Sequence, residues 1–527
     1  MKRMGGVAWP VVRGKKFGNL DLVDTVMEGR ANGYPCDFME EWVEEYGPQH
    51  DIKILGGSQL FTADPGDVKF VLATEFSSFE KGPTFREAAR SLLGFGVFNA
   101  DGQFHRSMSR PFFNRDRISD FDIFSRHSDT VFRKITDRLN TGVAVDFEDA
   151  VARFAMDSAS EFLFGTSVDS LHDPLPYPWN VPPPPGSTAS RSASDRFVTA
   201  FAGAQLATAH RFWRGPVWKY SEITTDKTRA HIKEIDAFIT PILQRALLRK
   251  KQSKARNDKS DLPLSSDGEE TSLLDHLVSL TDDVKVIKDE IVNILVAGRD
   301  TTSVTLTFAV YFMAIHPDVL RRAREEVLAR FGTTRTPSFE EMRDLKYNRA
   351  VINETLRLMP PVPLNVRYAY ANKSVLMPST DANGKHYYVA AGDPVAYSVF
   401  LMQRRKELWG PDAEAFDPDR FLDERLHKYL TPNPYIFVPF NAGPRICLGQ
   451  QFAYNEMTYF LVKLLQRFDS IALDKDAMPP FARPPPEWKH CKGRKAVEQI
   501  IPTAALTLSV KGGLWIRMHE AVDVERL

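Results

Sequence analysis

Apolar positions recur at helical spacing over most of the chain, in long segments broken by proline and glycine clusters. Two short apolar runs, residues 52–61 and 68–72, flank Asp64-Pro65-Gly66 and are predicted as strands joined by a turn. Helical spacing follows over residues 115–164, then a loop at 174–190 containing four consecutive prolines. Helix resumes over 194–248, with interruptions, and gives way to a charged surface loop at 249–270. The most regular helix is expected from Thr281, a capping residue, to His316, where Pro317 stops it. At 1.5 Å per residue it is a rod of roughly 50 Å, long enough to cross a whole domain. A final helix is predicted over residues 450–468. No internal repeat is visible.

That long helix carries the first chemical signal. Its middle is apolar on nearly every face except at Gly298-Arg299-Asp300-Thr301-Thr302. Polar groups in a buried helix are costly unless something uses them. The bland alternative pairs Asp300 with Arg299 or another cation and uses the small residues for close packing.

A second signal is Phe440-Asn441-Ala442-Gly443-Pro444-Arg445-Ile446-Cys447-Leu448-Gly449. Cys447 follows a Gly-Pro turn and precedes a helix, whose N-terminal N–H groups favour a thiolate. Gly443 and Gly449 leave room for a flat ligand near the backbone, and Arg445 suits a carboxylate on it. Together these describe a haem site with an axial cysteine. The alternative is a buried structural cysteine.

Composition narrows the classes. The 527 residues are 43% hydrophobic, with 68 basic residues balancing 68 acidic ones, so no overall field exists to hold nucleic acid. Three cysteines exclude a disulfide scaffold and suit a reducing compartment. No run approaches twenty apolar residues, so no membrane-spanning helix is expected. A short apolar piece through Val12, with basic residues at either end, is a candidate for peripheral contact with an anionic surface.

The cysteine segment resembles the Phe-x-x-Gly-x-Arg-x-Cys-x-Gly signature of the cytochrome P-450 superfamily, the haem-thiolate monooxygenases. Glu354-Thr355-Leu356-Arg357, 93 residues ahead of Cys447, resembles the family's Glu-x-x-Arg pair. Phe416-Asp417-Pro418-Asp419-Arg420-Phe421 resembles its Pro-x-Arg-Phe element, and Ala297 to Thr302 its oxygen-activation motif. The resemblance implies the cytochrome P-450 fold, mainly α with small β-sheets (α+β), its long central helix crossing the haem. Residues 51–527 would form one monooxygenase domain, a helical lobe with a smaller β-rich lobe, after an N-terminal segment 1–50.

It further implies haem b, with Cys447 as axial ligand within the Phe440, Gly443 and Gly449 loop. Arg445, Arg367, His105 and Arg106 would meet the propionates, and Glu354, Arg357 and Arg420 would form a structural network. Asp300 and Thr301 would be the proton-delivering acid–alcohol pair, with Ala297 and Gly298 leaving a groove beside them. Phe95, Phe98, Ile294 and Leu364 are candidate substrate contacts. The motif wording, with Pro363 and Asn365, resembles fungal enzymes that hydroxylate alkanes and fatty acids.

The implied reaction inserts one atom of O2 into an apolar small molecule. Electrons would come from NADPH through a separate flavoprotein reductase, since the chain has no flavin or nicotinamide motif. Arg404-Arg405-Lys406, Arg106 and Arg110 are candidates to face that reductase. A monomer at the cytoplasmic face of the endoplasmic reticulum membrane is expected by resemblance, and a soluble cytoplasmic protein is the other reading. Other classes are a haem-thiolate isomerase or dehydratase, a haem sensor, and a catalytically impaired haem protein. One departure stands out: the family's Trp-x-x-x-Arg reads Gly102-Gln103-Phe104-His105-Arg106, without tryptophan and about three residues short.

Overall fold

The computed structural model describes residues 4–101, 104–113, 121–184, 192–255 and 272–521. Helices dominate, with a six-stranded, a three-stranded and two two-stranded sheets among the described residues, the mainly α arrangement with small sheets that was expected. The largest sheet runs in the order Val11–Val12, Gln49–Ile52, Leu60–Thr62, Pro394–Ser398, Leu364–Ala369, Phe79–Glu80. Val11 pairs with Asp51, Leu60 with Val395 and Leu364 with Ser398, so segments distant in sequence close one edge of the core.

The long helix spans Val284–Ile315. Its cap is Asp283, whose carboxylate accepts from the N–H groups of Lys285 at 2.9 Å and Val286 at 3.2 Å. Thr281 lies before the helix, where its hydroxyl accepts from Asp283 N–H. The helix ends before Pro317, and a second helix, Pro317–Phe331, leaves at 113°. Among the described residues no single helix is long and apolar enough to cross a membrane. The long helix is apolar because it is the core: Ile287, Leu295, Leu306, Phe308 and Phe312 are wholly buried. Its hydroxyls bond back into the helix, Thr305 to the Thr301 carbonyl and Thr307 to that of Ser303, so they can be buried without a partner elsewhere.

Polar residues near its start hold the loop that covers this end of the core. Asp289 accepts from Phe95 N–H, and Asn293 accepts from Phe98 N–H while donating to the Leu93 carbonyl. The loop comes so close that a Cβ on Gly94, at φ +52°, would run into the Asp289 carboxylate.

Several expectations shift. Residues 68–72 are helical: Asp64 accepts from the N–H groups of Gly66 and Asp67, and a helix starts at Pro65. Asp-Pro-Gly here is a cap with proline at the first helical position, the one place where its missing N–H costs nothing. Only the ends of 52–61 are extended, as Gln49–Ile52 and Leu60–Thr62. The 115–164 stretch is two helices, Asp122–Asn140 and Phe147–Phe164, split at Thr141-Gly142; its first residues lie outside the described ones. Helix continues past 248 to Ala255, since the Arg-Lys-Lys run adds a solvated turn rather than breaking it. Residues 174–184 are irregular as expected; 185–190 and 256–270 lie outside the described residues. The apolar piece near the N-terminus packs inward: Trp9 and Val12 are buried, and Trp9 donates to the Tyr388 carbonyl.

Behind the cysteine loop, Arg357 and Glu354 form a bidentate ion pair at 2.6 and 2.8 Å, both fully buried. Arg357 also donates to the carbonyls of Gln403, Ala413 and Ala415, while Glu354 accepts from Asp417 N–H. The Arg420 Nε lies 3.6 Å from Glu354, and its other nitrogens bind Asp412 and the Trp409 carbonyl. Removing one member strands a buried charge. Arg357→Met is therefore expected to cost about 3–5 kcal/mol or abolish folding. Denaturant melts of the variant check this; a loss below about 1 kcal/mol would contradict it.

Candidate active site

The cysteine loop is built by short-range bonds. Cys447 N–H donates to the Phe440 carbonyl at 3.0 Å, Ile446 N–H to that of Gly443, and the Phe440 ring packs 5.1 Å from Tyr454. Gly449 caps the helix Gln450–Arg467. Gly443 has φ +63°, and a Cβ there would run into the Leu72 carbonyl. Its smallness lets the loop pack against Leu72–Ala73. At Gly449 a Cβ would meet only Phe113, at 3.7 Å.

The Cys447 thiol is accessible, yet burial pushes its pKa up, against the pull of the Gly449 N–H and the Arg106 charge. Those two facts together describe a sulfur opening into a recess within the protein. The Gly449 N–H at the helix start pulls toward the thiolate, as its place predicts, and burial opposes it.

Cations gather near it. Arg106 donates to the Ile446 carbonyl at 2.8 Å, tying the short helix Phe104–Ser109 to the cysteine loop. Arg445 lies 5.9 Å over the Phe76 ring, and Arg367 is only 8% exposed. Lys81 joins them. Burial holds its pKa well below the ordinary range, and the Arg367 and Arg445 charges add to this. Burial and the Arg445 and Arg110 charges likewise lower Arg106. Like charges so placed repel one another and suit a dianionic ligand. A thiol in a recess beside four cations fits haem, with its iron-seeking and carboxylate-seeking ends both met. Nothing in Phe79-Glu80-Lys81-Gly82 marks Lys81 in sequence; only the fold brings it here.

His105 stands apart. Its Nδ1 lies against the Glu290 carboxylate on the long helix, and Ser109 donates to the same carboxylate at 3.2 Å. Through Nδ1 the histidine docks the short helix on the long one. Gly102 and Gln103, where tryptophan is missing, lie outside the described residues.

On the long helix, residues 297–299 and 301 are partly accessible while most of their neighbours are buried. Thr301 donates to the Ala297 carbonyl at 2.6 Å. Arg299 Nη1 pairs with Asp300 Oδ1 at 2.6 Å. Gly298 is partly accessible, and a Cβ there would meet Ala159 of the helix Phe147–Phe164 at an ordinary contact distance of 3.5 Å. Glu456, unremarked in the sequence, is fully buried on the cysteine helix beside the Thr302 hydroxyl. Burial pushes its pKa to about 8.

Of the substrate candidates, Phe98 and Ile294 share one apolar cluster, and Leu364 packs against another. Phe95 is 46% exposed, capped by Arg90 at 5.3 Å and Lys285 at 5.1 Å, so it faces outward. Arg404 is not a surface charge: it stacks 3.7 Å over Phe400 and donates to the Leu358 carbonyl. Arg405 donates to the Ala63 carbonyl, leaving Lys406 and Arg110 exposed.

A haem-thiolate enzyme is the class this fold and cysteine loop define. The cytochrome P-450 profile matches residues 17–491, and the chain belongs to that family, whose members carry haem and generally draw electrons from a redox partner. It is similar to cytochrome P-450 monooxygenase g430 of Fusarium sp, 32% identical over 89% of this chain and 79% of the relative. Cytochrome P-450 52A1 of Candida tropicalis is 33% identical over 95% and 86%, and cytochrome P-450 52-M1 of Starmerella bombicola 34% over 79% and 76%. The protein is a monooxygenase of this family.

Glu456 supplies a test. Its ordinary value is 4.5 and its folded value about 8. Between these, the unfolded chain has released a proton that the folded chain keeps, so this residue's contribution to stability falls as pH rises through that window. Glu456→Gln removes the fall. The melting temperature of Glu456→Gln minus that of the parent should grow from pH 5 to pH 8 and level beyond. A difference independent of pH would contradict burial of a neutral acid.

Proposed function

We propose that this protein hydroxylates an apolar substrate of the alkane or fatty-acid type, drawing electrons from NADPH through a separate flavoprotein reductase. Cys447 would hold the iron, and Arg445, Arg367, Lys81 and Arg106 the haem carboxylates. When bound, haem b supplies the oxygen-activating chemistry, which consumes two electrons and two protons for each oxygen atom inserted. The chain's own residues place and protonate. Phe98 and Ile294 offer an apolar wall to a hydrocarbon chain. Ala297, small and partly accessible, leaves space beside the acid–alcohol pair.

The observation that carries this reading is an acid and a hydroxyl at a partly accessible segment of an otherwise buried helix. Thr301, held on the Ala297 carbonyl, presents its hydroxyl oxygen there, and Asp300 follows the same turn. Asp300 takes a proton on its carboxylate and passes it on, and Thr301 holds the acceptor oxygen in place. An isomerase would need neither group.

We place the protein, as a monomer, at the cytoplasmic face of the endoplasmic reticulum membrane; its working unit includes the segment before residue 51, whose Val12, Tyr34, Phe38 and Trp42 pack into the main core. In support, Phe17 is 89% exposed and Leu55, bonded to the adjoining Gly18, is 55% exposed, an apolar pair available to lipid.

Thr301→Ala tests the proton assignment. NADPH should still be consumed, but hydroxylated product per NADPH should fall, on the order of tenfold or more, with hydrogen peroxide rising in its place. The carbon monoxide spectrum and melting temperature should not change. Unchanged coupling in the stable variant would remove the assignment, and turnover without oxygen would indicate the isomerase.

A further inference from the structure

Asp300 does not stand in the helix with both carboxylate oxygens alike. Arg299 Nη1 binds Oδ1 at 2.6 Å, although neighbouring residues on a helix do not face one another, so the guanidinium must fold back to reach it. Asp300 Oδ2 is buried and, among the described residues, has no hydrogen-bond partner; the same holds for Arg299 Nε. Both side chains are largely buried, at 14% and 8% exposure. A second carboxyl feels the charge of the same cation. Glu148, on the helix Phe147–Phe164, feels the Arg299 charge and is anchored by accepting from Val510 N–H at 3.0 and 3.2 Å. Asp146 and Asp149 are the other charged groups acting on Glu148.

We propose that Arg299 is the positioning residue of the proton-delivery site: by occupying Oδ1 it fixes the Asp300 carboxylate and leaves Oδ2 as the one atom that takes and gives the proton. The inference rests on the reading of Asp300 given above. In the transfer Oδ2 takes a proton from a solvent hydronium, leaving water, and its new O–H bond breaks as that proton passes to the acceptor oxygen beside Thr301, while Oδ1 stays bound to the guanidinium. The cation is never in the proton's path. A carboxylate free to turn would present either oxygen, and the proton would arrive at the acceptor in only part of its turnovers.

The test is a double-mutant cycle on the haem-loaded enzyme, read as product and peroxide formed per NADPH. Arg299→Met should raise the peroxide fraction about fivefold or more while the carbon monoxide spectrum stays as in the parent, since neither atom touches Cys447. Arg299→Lys, which keeps the charge without the planar fork, should recover part of the coupling. In the Asp300→Asn background, Arg299→Met should change coupling no further. Parent-like coupling in Arg299→Met, or effects that simply add across the cycle, would overturn the proposal. If neither Arg299→Met nor Arg299→Gln folds while Asp300→Asn does, Arg299 is structural and the proposal also fails. Loss of coupling in Asp300→Asn but not in Arg299→Met strikes the Arg299 assignment alone. No loss in Asp300→Asn strikes the proton reading first.

Discussion

The geometry around Cys447 depends on an ion pair that never meets water. Arg357 and Glu354 bind each other through two hydrogen bonds with no exposed surface, and their remaining bonds reach chain segments far apart in sequence. Burying two charges is unfavourable unless every donor and acceptor is used, and here the uses are structural. Arg357 gathers the Gln403, Ala413 and Ala415 carbonyls. Gln403 in turn donates to the Leu356 and Arg357 carbonyls and accepts from Val438 N–H, two residues before Phe440. A continuous path of hydrogen bonds thus runs from the ion pair to the loop that presents the sulfur. Placing a ligand atom to a fraction of an ångström needs such a rigid backing.

The opposite wall is the long helix, and it works by contrast. Its length is apolar and buried, which fixes its axis through the core, while Asp289, Glu290 and Asn293 hold neighbouring segments to it. Around residues 297–301 the helix carries a charge pair, a hydroxyl and small side chains. The cysteine helix and the long helix meet where Glu456 stands beside Thr302, a neutral acid between the two walls.

How much of this was legible in the sequence varied with the range of the interactions. Cys447, Arg445 and the Gly443 turn lie within ten residues, so local chemistry suffices to recognise them. The ion pair at spacing three was readable because a helix turn brings Glu354 and Arg357 together. Lys81 was not, since its meaning arises only when a residue 366 positions from Cys447 folds beside it. Short apolar runs such as 68–72 do not distinguish strand from helix; Asp64 and Pro65 hold the answer as a cap, although Asp-Pro-Gly is equally the composition of a turn. Phe95 looked like a pocket residue by type and neighbourhood. Its backbone is pinned to Asp289, and the positive φ of Gly94 turns the ring out beneath two cations. His105 likewise matched a motif by type, while the long helix offered it a nearer carboxylate.

Every role proposed for these residues depends on Cys447 being the thiolate that holds haem. The most direct measurement is the absorption spectrum of the purified, reduced protein under carbon monoxide, beside that of Cys447→His. The parent should show the strongly red-shifted Soret band that a thiolate ligand produces, and the variant should lose that band while keeping its fold. A parent spectrum of the histidine-ligated kind, or no bound haem at all, would contradict the assignment.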